Sequence, residues 1–346
     1  MKRIFKALSI ILVLVIFISL ASAIPISAAN GTYSKIQTGF TLDPGQPGTL
    51  IERGSTIYHL ETGITEVYDA NNTLTMTAVD SETGVIMTSY GPKKATDIYH
   101  LPDGARVDYS ANITKIYDGY NLILTVVYNQ EQSNAIPNTE NTHGWLGTTQ
   151  SHNLMINYCD GCWGVPNAPP DSNDVAFYFN GIQSATGATL LQPLLQWNQA
   201  GYQQKWSIQS SAIWPNGGVS MGPVTVVTKA NLIEGQVSYV QMYNGWYWMI
   251  QIRTLGGSWT GTCISGSIMG QTNDTALTAL EVWRPDTQAF VNNDLPGCCS
   301  FSPMTFRYNG NSVPINWTAN TYSGLNLSIS YDHSSAGSYA SYVTPN

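Results

Sequence analysis

The pair Asn244-Gly245 lies between two strand-like runs, Gly235–Tyr243 and Trp246–Arg253. Both turn residues tolerate the positive φ that a two-residue turn between twisted strands demands, so this is the strongest short hairpin signal in the chain. On either side, runs rich in β-branched and aromatic residues recur at near-even spacing. They are read at Asp174–Ile182, Ala188–Trp197, Lys205–Trp214, Val224–Lys229, Gly261–Ile268, Thr275–Arg284 and Ser302–Tyr308, with Gly, Asn and Pro between them. No amphipathic helix period competes with them. Such spacing predicts an all-β chain folded as an antiparallel β-sandwich, with a terminal strand or tail over Tyr331–Asn346.

The part before this region carries an internal repeat. Ile57-Tyr58-His59-Leu60 recurs as Ile98-Tyr99-His100-Leu101, and Gly63–Asp69 is echoed by Asn112–Asp118. A further β-rich run succeeds each copy, Leu74–Val79 and Leu122–Tyr128, and the second copy has an insertion near Asp108. Units this short bury no core alone, so the copies are expected to pack on each other or on the sandwich region after them. The recurring histidines come with their whole strand context and no attendant nucleophile, which reads as structural. Residues 129–145 are Asn- and Gln-rich and form the best linker. The expected organisation is a leader at 1–29, a β-rich pro-segment at 30–135 and the sandwich at 136–346.

The leader has a basic start (Lys2, Arg3, Lys6), an apolar run from Ala7 to Leu20, and small-residue cleavage patterns at Ala21-Ser22-Ala23 and Ser27-Ala28-Ala29. That pattern predicts a secreted protein with no membrane span after cleavage. Losing the leader takes the net charge from −8 to −11. An acidic exported chain is a poor nucleic-acid binder. Only 10% of residues are charged, against roughly 25% in ordinary domains. A surface carried by amides and hydroxyls changes little on acidification and suits acidic surroundings. The five cysteines, Cys159, Cys162, Cys263, Cys298 and Cys299, predict disulfides in an oxidising compartment, with a local Cys159–Cys162 bridge and one thiol left over. The five histidines lack metal-ligand spacing, so no metal and no cofactor is expected. Six Asn-x-Ser/Thr sequons, at Asn30, Asn71, Asn112, Asn273, Asn316 and Asn326, permit glycosylation.

Most catalytic patterns are absent. There is no GxSxG elbow, since Gly257-Ser258-Trp259-Thr260-Gly261 has the wrong spacing. Paired carboxylates on neighbouring strands are hard to assemble, because most acids lie in turn-like contexts. Two polar residues stand out in apolar runs. Gln192 lies within Leu190–Trp197 and Glu281 within Thr275–Arg284. Alternation puts Gln192, Leu194 and Gln196 on one face of the first run. In the second, Leu280 and Val282 point to the core and Glu281 to a groove beside Trp283. Pro193 removes a ladder donor, which predicts a sheet edge or a bulge beside Gln192.

Phe179-Asn-Gly-Ile-Gln183, Leu190-Leu-Gln-Pro-Leu-Leu-Gln-Trp197, Lys205-Trp-Ser-Ile and Ala279-Leu-Glu-Val-Trp283 together resemble the glutamic peptidases, meaning the eqolisins and neprosin-like proteins. The resemblance covers roughly residues 144–308. It implies a sandwich of the concanavalin or jelly-roll kind, an acid endopeptidase made as a zymogen, and Gln192 with Glu281 as the catalytic pair. Glu281 would deprotonate water and return the proton to the leaving amine, while the Gln192 amide would donate to the oxyanion. Gln196 and Trp283 are the candidate substrate-binding residues. Protein or peptide substrates and a monomeric state are implied by the same resemblance. The rival reading is a non-catalytic extracellular sandwich that binds glycans or a cell-envelope polymer through Trp246, Tyr247, Trp248 and Trp259, with plain cross-strand packing the simpler use of those rings.

Overall fold

The computed structural model describes residues 39–43, 45–129, 143–242, 245–269, 274–284, 289–334 and 337–344. The expected leader, most of the linker and the Asn244 turn position lie outside them. Among the described residues the regular structure is β-strand with three single 3-10 turns, at Ala95–Asp97, Gly266–Ile268 and Asn292–Asp294. Two large sheets form the layers. The first has eleven strands and runs through Ile98–His100, Val219–Met221, Trp206–Ile213, Leu190–Trp197, Val175–Gln183, Asp274–Trp283, His143–Leu154 and Thr318–Thr321. The second has fourteen and includes Cys299–Tyr308, Tyr158–Gly164, Leu232–Met242, Gly245–Thr254 and Thr260–Ser265. The two runs pair antiparallel as expected, but Gly245 is the first residue of the second strand, opposite Met242, rather than a turn residue, and the pairing runs on to Ile233 opposite Thr254.

Alternation decides what fills the space between the sheets. Leu191, Pro193, Leu195, Tyr178 and Leu280 point inward from the first sheet and are met by Ile233, Val237, Phe301 and Tyr342 of the second, all of them buried. Tyr178 and Tyr342 meet edge-on with centroids 5.9 Å apart. Layers approach most closely where a side chain is missing. A Cβ on Gly235 would lie 2.5 Å from the Pro193 ring. Aromatic and aliphatic burial of this extent is the main source of stability in such a fold.

Pro193 sits at neither an edge nor a bulge. The Leu190–Trp197 strand is internal, flanked by Val175–Gln183 and Trp206–Ile213, and pairs continuously with the latter. On the other side, pairing is interrupted between Phe179–Leu194 and Ile182–Leu191, the place where proline offers no N–H. Gly181 fits that gap, since a Cβ there would lie 2.6 Å from the Leu191 carbonyl oxygen.

The two repeat copies divide between the sheets. Ser55–His59, Ile64–Tyr68 and Leu74–Val79 form a meander in the second sheet, which Ile113–Asp118 and Asn121–Tyr128 extend. Ile98–His100 of the second copy instead joins the first sheet, parallel to Val219–Met221. The copies still meet, because His59 Nε2 and the Tyr99 hydroxyl are 2.6 Å apart and both residues are buried. The insertion near Asp108 becomes the Arg106–Asp108 strand, parallel to Thr260–Ser265. Residues 39–129 are thus continuous with both sheets, through short parallel ladders.

The expected disulfides are not formed: all five cysteines are free. Cys159 and Cys162 lie three residues apart on one strand, Tyr158–Gly164, and so project to opposite faces. Cys159 is buried and Cys162 half-buried.

Candidate functional site

The outward face of the first sheet carries the polar residues singled out in the sequence. Antiparallel register places Glu281 opposite Phe177 on one side and Trp145 on the other. Phe177 in turn stands opposite Gln196. Gln192, Leu194 and Gln196 share this face, and Ser211, Gln209 and Ser207 oppose them on the next strand. Leu194, Phe177 and Phe179 form the apolar floor between the polar groups, and all are fully buried.

Glu281 is 1% exposed. Its two carboxyl oxygens accept one indole N–H each, from Trp283 at 2.8 Å and Trp145 at 3.1 Å. Burial pushes its pKa well above the usual carboxylate value, opposed by those bonds from Trp283 and Trp145. In this state burial favours the neutral acid over the carboxylate. Trp283 is the expected neighbour of Glu281. Trp145 carries no signal in the sequence, because it begins a Gly- and Thr-rich strand with little alternation.

Gln192 is fully buried, and its amide Nε2 donates to the Ser89 hydroxyl while Oε1 has no partner among the described residues. Gln196 Nε2 donates to Gln209 Oε1 at 3.2 Å, and Gln209 Nε2 donates to the Gly222 carbonyl at 2.6 Å. Gln196 Oε1 and the hydroxyls of Ser207 and Ser211 are likewise buried without partners among the described residues. Buried polar groups left without a partner cost about 1–3 kcal/mol each. Four on one face mark a surface shaped for polar company.

Gln192 and Glu281 occupy one face but not one row. Gln192 lies beside the row of Gly181 and Leu277, whereas Glu281 is four residues further along in the row of Phe177 and Gln196. Four residues span about 13 Å along a strand, and two strand spacings add about 10 Å across. Side chains standing upright from a sheet at that separation do not share one water. The amide in register with Glu281 is Gln196.

A two-stranded hairpin, Val85–Thr88 and Gly91–Lys94, lies over this face. Ser89 takes the Gln192 amide, Gln199 Nε2 donates to the Met87 carbonyl at 3.0 Å, and the Tyr90 hydroxyl donates to the Gly187 carbonyl. Gly91, at φ +101°, passes over Trp283, and a Cβ there would lie 3.6 Å from the indole. Thr88 and Ser89 are fully buried by this docking. The polar face is therefore covered by a hairpin of the chain itself.

No protein-family model matches the sequence. No curated protein matches it either. Among solved structures the chain is similar to scytalido-glutamic peptidase with a peptide-based transition-state analogue, at 13% identity and TM-score 0.40, covering 60% of this chain and 99% of that one. It is also similar to SCP-B, a member of the eqolisin family of peptidases in complex with the tripeptide Ala-Ile-His. That match has 14% identity and TM-score 0.37, covering 60% of this chain and 99% of the other.

Proposed function

We propose that this protein is an exported, acid-acting endopeptidase held in a latent form, with the face around Glu281 as its substrate groove. The observation that carries the reading is the occupant: the tip of the chain's own hairpin, Met87–Gly91, lies across that face and is held through the Met87 carbonyl and the hydroxyls of Ser89 and Tyr90. A surface that holds a segment of its own chain through polar contacts of this kind is suited to a peptide.

Once the hairpin leaves, water reaches Glu281 and lowers its carboxyl from the raised value that burial imposes. As carboxylate it takes a proton from water attacking the scissile carbonyl, then passes it to the departing amine. Trp145 and Trp283 hold both oxygens and favour the charged form. The donor to the oxyanion is an amide from the glutamine row. Gln196 stands in register with Glu281, and Gln192, four residues along, holds the substrate backbone where Ser89 sits in the latent form. An amide remains a donor at any pH.

The test is cleavage of a denatured protein at acid pH after proteolytic removal of residues before 143, comparing wild type with Glu281→Gln. Loss of cleavage in the variant supports the reading; equal activity overturns it. A second reading has its own observation, the four-residue offset between Gln192 and Glu281. It is a groove that binds peptide without cutting it, and tight binding of unstructured peptide with no hydrolysis at any pH would select it.

A further inference from the structure

Three carboxylates converge where the Val175–Gln183 and Asp274–Trp283 strands end together. Asp171 and Asp174 lie in the turn leading into the first, and Asp294 lies in the 3-10 turn Asn292–Asp294 after the second. One carboxylate oxygen from each lies within 4.8 Å of the others. Val175 pairs with Trp283 at this end, so the cluster closes the ladder that carries Glu281.

An acidic cluster needs more than proximity to be a site, and here burial supplies it. Asp174 and Asp294 are both 0% exposed. Apart from each other's carboxyl, both oxygens of Asp174 and Oδ1 of Asp294 have no hydrogen-bond partner among the described residues. The contacts that do exist hold the frame. Asp294 Oδ2 accepts from the Val291 N–H at 2.7 Å and from Arg284 Nη1 at 3.2 Å. Asp171 N–H donates to the Asn293 carbonyl at 2.9 Å, and Asn198 Nδ2 donates to the Asp174 carbonyl at 3.2 Å. Among the described residues, Arg284 is the cation that acts on Asp174. Three carboxylates, two of them fully buried, against one guanidinium leave a surplus of negative charge, which is costly unless a cation binds or protons do. With nothing bound, burial, then the Asp294 and Asp171 charges, push Asp174 up to about 8.

We propose that Asp171, Asp174 and Asp294 bind a divalent hard cation of the calcium class, which fastens the turn before Val175–Gln183 to the turn after Asp274–Trp283. The charge surplus is negative, and the donors are all oxygen, as calcium prefers over the nitrogen and sulfur sets of zinc. Water and main-chain carbonyls complete the shell. The site is separate from the groove and does not depend on peptidase activity.

Thermal melting of the full chain, stripped with chelator and titrated with calcium chloride alone, tests this. Saturating calcium should raise the melting temperature by roughly 5 °C, since binding only the folded state stabilises it by mass action. Asp174→Asn removes a buried like charge, so without calcium it should melt above wild type, and calcium should not move it. Should that variant fail to fold, the half-buried Asp171→Asn should raise the calcium midpoint at least tenfold. A wild type that melts alike with chelator, calcium, magnesium or manganese overturns the proposal. So does a variant that responds to calcium as wild type does.

Discussion

Gln196 and Glu281 face each other across Phe177, one strand removed on either side, while Gln192 lies four residues further along the same face. If hydrolysis occurs at Glu281, the oxyanion donor comes from the row in register with it. Gln196→Ala should then lower kcat by roughly 10²–10³, the usual effect of removing such a donor. Gln192→Ala should act mainly on KM. Steady-state kinetics with one peptide substrate separates the two, and the reverse split would return the donor role to Gln192.

Trp145 donates to Glu281 Oε2. Such a bond favours the carboxylate, so Trp145→Phe should raise the Glu281 pKa further and move the acid limb of a pH–rate profile upward. Leaving a buried oxygen unpaired should also cost about 1–3 kcal/mol of stability. An unchanged acid limb would remove Glu281 from the role of base.

Gly91 crosses Trp283 at φ +101°, a conformation that side chains with a branched Cβ rarely adopt. Gly91→Val should therefore loosen the covering hairpin without touching the groove floor. Trp283 should become accessible to a fluorescence quencher, and nicking between residues 85 and 94 should speed up. Under the latency reading the variant also shows activity before any cleavage.

All five thiols should react with an alkylating reagent in denaturant without reductant, giving five mass increments. Under native conditions the exposed Cys298 should react first. Burial pushes the thiols of Cys159 and Cys299 far up, so both should stay silent until unfolding. Fewer than five increments would restore a disulfide.

Strands with strong alternation or a hairpin turn were legible in the sequence to within a few residues. Val175–Gln183, Leu190–Trp197, Trp206–Ile213 and Asp274–Trp283 all fall on runs with that pattern. Their local pattern already encodes which face is apolar. His143–Leu154 was not legible, because GWLGTTQSHN carries little periodicity. It becomes a strand by lying between Asp274–Trp283 and Thr318–Thr321. The polar face was legible for Gln192 and Glu281, but their relative position was not. Register between strands about ninety residues apart is set by long-range packing, here by the gap Pro193 leaves and the glycine that fills it. The covering hairpin was invisible for a related reason: Lys93 and Lys94 make Gly91–Lys94 look solvent-facing, yet its start is buried on Trp283.

Acid should stabilise this fold. Burial raises Asp97 and Asp274 to about 7 each and Asp174 to about 8, and pushes Glu281 well above its usual value. An acid whose folded pKa exceeds its unfolded value contributes stability that is fully present below about pH 4 and is lost as pH rises through the folded value. Two histidines oppose this. Burial lowers His59 and His100 from 6.5 to about 4, so each withdraws stability as pH falls from about 6.5 to 4. His59 is held by Thr65 and Tyr99 and faces Asp97 at 4.0 Å, with Asp80 and Lys94 acting at longer range. A pKa displaced by one pH unit corresponds to about 1.4 kcal/mol, so the four raised carboxyls outweigh the two imidazoles near pH 4.5. Urea midpoints should accordingly be higher at pH 4.5 than at pH 7. Glu281→Gln should narrow the difference by removing one raised acid. His100→Leu should widen it, because the buried ring with an unpartnered Nδ1 no longer has to accept a proton. A midpoint that falls on acidification would mean the histidines dominate, and the fold would then be opened rather than secured by acid.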